Sequence, residues 1–183
     1  MPTLGWDAVT VPGAVSAWTA LSERYGQLPY ADLFEAAIRY AREGFQVGPK
    51  TAHYWKLAEN TYADYPDFID HFCPAPAPGE RFMRPDMVGT LEQIAATDGA
   101  AFYEGQLAEA MAGASEAAGG ALRLGDLAAH EADWVAPIEQ PYEKVALHEI
   151  PPNGQGLAAQ IALALLAQGG PAPFSTAAGV HRQ

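Results

Sequence analysis

Apolar residues recur three and four apart through most of the first two thirds of the chain. After Pro12-Gly13 they fall at Val15, Trp18, Leu21 and Tyr25, the spacing of one helix face, and Gly26 closes the run. Pro29 suits the first turn of a second helix that carries Leu33, Ala36, Ala37 and Tyr40 on one face, with Gly44 as its stop. Trp18 and Leu33 are therefore core candidates, and burying such side chains stabilises a fold by about 1.5–3 kcal/mol each. A third helix is predicted from near Pro49 through Tyr54, Leu57 and Ala58 to Tyr62, followed by a short apolar turn around Phe68 and Phe72. The run from Pro74 to Gly79 has prolines at alternate positions, so it can neither continue a helix nor pair in a central strand. It reads as a loop within one domain, because the same patterning resumes beyond it.

A helix is predicted from Pro85 to Asp98, with Met87, Leu91, Ile94 and Ala95 on one face and Gly99 ending it. Another runs from about Gly105 to Ala118 and stops at Gly119-Gly120, and residues 126–130 form a short capped turn. The character then changes. Residues 134–138 and 145–150 read as strands joined by a turn over 140–143, with Val145, Leu147 and Glu149 on one face of the second. Pro151-Pro152 ends that strand, Asn153-Gly154-Gln155-Gly156 makes a tight loop, and an apolar helix follows from about Leu157 to Gln168. No internal repeat is visible. The pattern predicts a mainly α fold with one small antiparallel β-hairpin.

Composition narrows the function more than the fold. With 183 residues and 49% apolar content the chain is long enough for a core and too apolar for disorder. Its 22 acidic against 10 basic residues give a net charge of −12, which repels phosphate backbones and argues against a nucleic-acid partner. No run approaches the roughly 20 apolar residues of a membrane span, and the N-terminal residues lack the pattern of a signal peptide. Cys73 is the only cysteine, so neither an intrachain disulfide nor a thiolate metal cluster can form. It reads as a packed or loop thiol.

Candidate chemistry is sparse. The loop Gly154-x-Gly156-x-x-Ala159 lacks the Lys-Ser or Lys-Thr pair of a phosphate-binding P-loop, and it follows two prolines rather than a strand running straight into it. His53, His71, His130, His148 and His181 include no pair at helical metal-ligand spacing. Ser16, Ser22, Ser115 and Ser175 sit in no nucleophile-elbow pattern, and Asp64/Asp67 and Glu104/Glu109 read as solvated faces. Motifs alone assign no catalytic, cofactor-binding or metal residue.

Several blocks nevertheless resemble one family in order along the chain. Val11-Pro12-Gly13, Arg24-Tyr25-Gly26-Gln27-Leu28-Pro29 and the run Ala36 to Phe45 are similar to the large subunit of γ-glutamyltransferases. So are Thr90-Leu91, Ile94-Ala95, Gly99, Phe102-Tyr103-Glu104-Gly105, Leu124 to Ala128, and Pro151 to Gly156. Where many family members carry serines after the double proline, this chain has Asn153-Gly154-Gln155-Gly156, which resembles a bacterial branch of the family.

The resemblance implies an N-terminal-nucleophile hydrolase of αββα fold, made as a precursor that cleaves itself. A threonine freed at the start of the small subunit attacks a γ-glutamyl amide, with its own α-amino group as base. On the same resemblance the Thr-Thr-His-type cleavage motif belongs downstream of Gln183, and the arginine that grips the substrate carboxylate upstream of Trp6. Thr10, Thr51, Thr61, Thr90, Thr97 and Thr176 lack that motif. Residues 1–183 are thus expected to be one incomplete domain of a large subunit, without catalytic residues, cofactor or metal. A helix starting near Ser175 or Thr176 would be cut short, which favours a fragment over a standalone binding module. Its partners would be the remaining segments of the same protein. Self-association is expected through Leu147, Ile150, Ile161 and Leu165, and localisation leans to the cytoplasm. Transfer, hydrolysis and a related amide acylase activity all remain open on these residues.

Overall fold

The computed structural model describes residues 2–169 and 176–177. The chain divides into two compact units, Met1–Ala132 and Asp133–Gln183. The first is helical. Helix α1 (Ala14–Tyr25) starts behind Gly13 and ends at Gly26 as the spacing predicted. Behind Pro29 the chain first makes a 3-10 turn, Tyr30–Phe34, and only then helix α2 (Glu35–Glu43), which stops at Gly44 with φ 83°. Strand β1 (Phe45–Gln46) leads to α3 (Pro49–Thr61), α4 (Pro66–Phe72) and strand β2 (Arg81–Phe82). Then follow α5 (Asp86–Ala96), α6 (Ala100–Tyr103), α7 (Gln106–Ala117) and α8 (Leu124–Ala128).

Three features of this unit differ from the sequence expectation. Residues around Phe68 and Phe72 form a helix rather than a turn, held because the Trp55 indole N–H donates to the Phe72 carbonyl at 2.8 Å. The rings of Phe68, Phe72 and Phe82 stack in series and Trp55 meets Phe82 edge-on, which gives this short helix the tertiary partner that its length alone does not supply. The antiparallel pair β1–β2, with Phe45 opposite Phe82, was not expected, since two residues are too few to show an alternating pattern. The third difference is burial. Val15 of α1 is buried with Phe34, Ile94 and Ala95, but Trp18 is 48% exposed and Leu33 50% exposed, so neither is the core residue its periodicity suggested. The described elements cover only the Val15 side of that face.

Two core clusters hold this unit. Val15, Phe34, Ile94 and Ala95 form the first, and Ala108, Leu122 and Leu127 the second, with Tyr103 packed against both. Gly99 is the tight point between α1 and α5. Its φ of +88° favours glycine, and a Cβ there would sit 2.7 Å from Thr19 Oγ1 and 3.0 Å from Val15 Cγ1.

The second unit is smaller. Strands β3 (Ile138–Tyr142) and β4 (Val145–Glu149) pair antiparallel with Tyr142 opposite Val145, and α9 (Gly156–Gly169) follows. The first strand thus begins four residues later than expected: residues 134–137 are not strand, and 140–142 are ladder rather than turn. Pro141 is accommodated because the ladder has only two strands, so every strand is an edge. Gln160 ties the helix to the hairpin, its side-chain amide donating to the Ile138 carbonyl at 2.8 Å and the Leu147 carbonyl at 3.2 Å. The helix start expected at Ser175 lies outside the described residues. In all, the described residues are mainly helical with two small antiparallel hairpins.

Candidate functional site

The fold brings together one serine–histidine pair that no local motif announced. Ser16, in the first turn of α1, and His130, just beyond α8, are 114 positions apart, and Ser16 Oγ lies 2.9 Å from His130 Nε2. Around them, Tyr103 stacks on the His130 ring at 5.1 Å, accepts the Ser16 backbone N–H at 3.0 Å, and donates its hydroxyl to the Pro12 carbonyl at 2.7 Å. The pair looks like a nucleophile with its base, but Ser16 Oγ also lies 2.9 Å from the Gly13 carbonyl, a second acceptor for its single proton. By accepting the Ser16 backbone N–H, the Tyr103 hydroxyl caps the start of α1, whose first backbone N–H groups have no helical partner of their own. Tyr103 performs from a distance what a local Ser or Asp usually does.

Other candidates are placed as follows. Cys73 is half-buried, and burial, with the nearby Glu59 carboxylate adding to it, pushes its thiol up and keeps it protonated. His71 Nδ1 lies 2.7 Å from the Asp67 carbonyl, and His148 stands opposite Glu139, 3.8 Å away across the hairpin. His181 and Ser175 lie outside the described residues. Asp64, Asp67, Glu104 and Glu109 are exposed. The Thr61 and Thr97 hydroxyls donate to the carbonyls four residues earlier, of Leu57 and Gln93. Thr19, which no motif singled out, is more engaged: its Oγ1 lies within 3.2 Å of the Val15 and Asp98 carbonyls and the Tyr30 hydroxyl. Ser115 Oγ is fully buried without a partner. No group of three or more His, Cys, Asp or Glu side chains suits a metal ion among the described residues.

At the start of α9, a Cβ on Gly156 would fall 2.5 Å from Glu149 Oε2. The chain's own carboxylate thus lies against the positive end of that helix, and a phosphate arriving there would meet a like charge. The charge pair Arg84–Asp86 is the best-formed on the surface: the guanidinium beside Asp86 holds that carboxyl down to about 2, and it also lies 4.7 Å over the Phe72 ring. Glu59 is likewise held below the usual carboxylate range by Lys56 and by the Ala75 backbone N–H.

One concavity of the first unit is strongly apolar. About 780 Å³ in volume, it opens between α1 and the 3-10 turn and is walled by Trp18, Leu21, Tyr25, Leu28 and Leu33, with Phe34 at its floor. None of its twelve lining residues carries a charge.

Measured against known proteins, the whole chain, residues 1–183, matches the family model of gamma-glutamyltranspeptidase. It belongs to that family. It is 35% identical over 91% of its length to the glutathione hydrolase-like YwrD proenzyme of Bacillus subtilis, covering 32% of that protein. It is also 35% identical, over 87% of its length, to the oxamate amidohydrolase proenzyme of Klebsiella pneumoniae, covering 31% of it. Among solved structures it resembles the cephalosporin acylase of Bacillus halodurans with a TM-score of 0.91 and 38% identity, covering all of this chain and 36% of that one. The chain thus spans about a third of the length of the curated relatives it matches.

Proposed function

We propose that these residues are a large-subunit portion of a γ-glutamyltransferase or γ-glutamyl hydrolase of the N-terminal-nucleophile class, and that by themselves they are catalytically inert. In this reading both units belong to one αββα domain completed by further segments of the same protein, and the attacking threonine lies in those segments. The observation that carries the inert half is that, among the described residues, the hydroxyl placed beside an imidazole, Ser16, lies equally close to the Gly13 carbonyl, which competes for its proton. The similarity to two proenzymes, each about three times longer than the matched stretch, supports the other half.

A related amide acylase is the second reading, favoured by the 38% identity to a protein described as a cephalosporin acylase. Both readings use one chemistry, attack on an amide carbonyl and release of an amine, and differ in the acyl group. The purified chain, incubated with a γ-glutamyl anilide and separately with a cephalosporin amide, should give no turnover above buffer. Turnover abolished by Ser16→Ala would overturn the inert reading. A continuous reading frame with a Thr-Thr-His-type motif downstream supports the completed-enzyme half. The acyl group the completed enzyme releases faster separates transferase from acylase.

A further inference from the structure

The loop between β4 and α9 places Asn153 directly before Gly154, an amide side chain beside the least hindered backbone nitrogen a chain can offer. Both residues are exposed, and a Cβ on Gly154 would meet nothing within 4 Å. Among the described residues, no group accepts the Gly154 N–H and none bonds the Asn153 amide. We propose that Asn153 is a modification site, deamidating spontaneously through a cyclic succinimide. The Gly154 nitrogen gives its proton to solvent base and attacks Asn153 Cγ. A new C–N bond closes the ring, the bond from Cγ to the side-chain nitrogen breaks, and ammonia leaves with a proton drawn from water. Water then opens the ring at either carbonyl. Opening at Cγ gives aspartate; opening at the main-chain carbonyl gives isoaspartate, with the backbone now running through the former side chain. The net change is water taken up and ammonia lost, with no oxidant or reductant.

Two other places in the chain show why this one is singled out. Asn60 is the other asparagine and is exposed as well. It sits at the end of α3, however, and the nitrogen after it belongs to Thr61, branched at Cβ and held in the helix. Asp98-Gly99 has the sequence for the same ring, since a carboxyl can close it by losing water. There the Gly99 N–H donates to the Ile94 carbonyl at 2.9 Å, and the glycine is buried against Thr19 and Val15. Among the described residues, only Asn153 combines an exposed amide with an uncommitted glycine nitrogen. The product carries one negative charge beyond the −12 of the chain, three residues ahead of Gly156, against which Glu149 already lies. Its isoaspartyl form also lengthens by one backbone atom the loop that sets the start of α9.

The test is incubation of the full 183-residue chain in neutral and in mildly alkaline buffer, followed by digestion and mass spectrometry. The peptide holding Asn153 should gain the mass of water less that of ammonia, faster at the higher pH because the attacking nitrogen must lose its proton. The product should accept methyl groups from an isoaspartyl carboxyl methyltransferase. Gly154→Ala, whose methyl group has open space, should slow the conversion severalfold, and Asn153→Gln should remove the product at that position. Circular dichroism checks that both variants fold. Conversion of Asn60 at an equal or greater rate overturns the proposal, as does isoaspartate appearing first at Asp98. So does an Asn153 that stays intact through prolonged alkaline incubation, or a rate indifferent to Gly154→Ala. Should Gly154→Ala fail to fold, the order in which the three sites convert in the unmodified chain decides alone.

Discussion

The two units solve the same problem with unequal means. The helical unit buries Val15, Phe34, Ile94, Ala108 and Leu127 almost completely, each covered by side chains from other elements of the unit. In the second unit the only buried residue among those described is Gln160, a polar side chain. Its helix, Gly156–Gly169, contains no charged residue, yet Ile161 and Leu165 are exposed. A helix apolar on all sides is built to be buried on all sides, and one two-stranded hairpin can cover only part of it. The first unit carries its own core; the second is tied by the Gln160 hydrogen bonds from α9 to its hairpin.

The largest effect should come from breaking the self-sufficient unit. Leu127 is fully buried in the second cluster, so Leu127→Ala should cost about 2–5 kcal/mol by lost burial and the cavity left behind. Urea unfolding followed by circular dichroism checks it, and an unchanged midpoint would show that this cluster is not the core. A smaller effect is expected where the other unit depends on polar contacts. Gln160→Leu removes both donations from the helix to the hairpin carbonyls, two hydrogen bonds worth about 0.5–1.5 kcal/mol each. Hydrogen exchange should speed up at β3, β4 and α9 while the amides of α5 and α7 keep their protection. Uniform loss across both units would show that the Gln160 contacts do not act locally.

The smallest effect should be electrostatic and confined to the first unit. Arg84 holds Asp86 near 2, below its unfolded value of about 3.9. The unfolded chain therefore takes up this proton first as pH falls, so the pair's contribution is present above pH 4 and is lost between about pH 4 and 2. In a comparison of Asp86→Asn with the unmodified chain, the difference in unfolding midpoint should shrink as pH drops through that window. A difference that stays constant from pH 6 to 2 would mean the pair contributes nothing to stability.

How much of this was legible beforehand depends on the range of the interaction. Gly26, Gly44 and Pro49 mark helix ends by their own backbone chemistry, and the boundaries of α1 and α3 follow within a residue. Phe68 and Phe72 read as a turn because the ring that makes them a helix, Trp55, is remote in sequence. The hairpin was placed four residues early because Trp134 and Val135 have strand propensity, which is a weak guide without a cross-strand partner. In the candidate site, no local pattern links Ser16 to His130. A spacing of 114 residues has no periodicity to detect.

By itself the sequence determined the helical class, the family and the absence of a local catalytic motif, because each rests on residues adjacent or a few positions apart. Only the tertiary structure decided which face of α1 is core and which is groove: Val15 and Trp18 have the same period, and what distinguishes them is whether another element lies above. It also decided how α1 is capped, by the Tyr103 hydroxyl at the Ser16 backbone N–H. That hydroxyl stands 87 positions along the chain, a gap that only the fold closes to 3.0 Å.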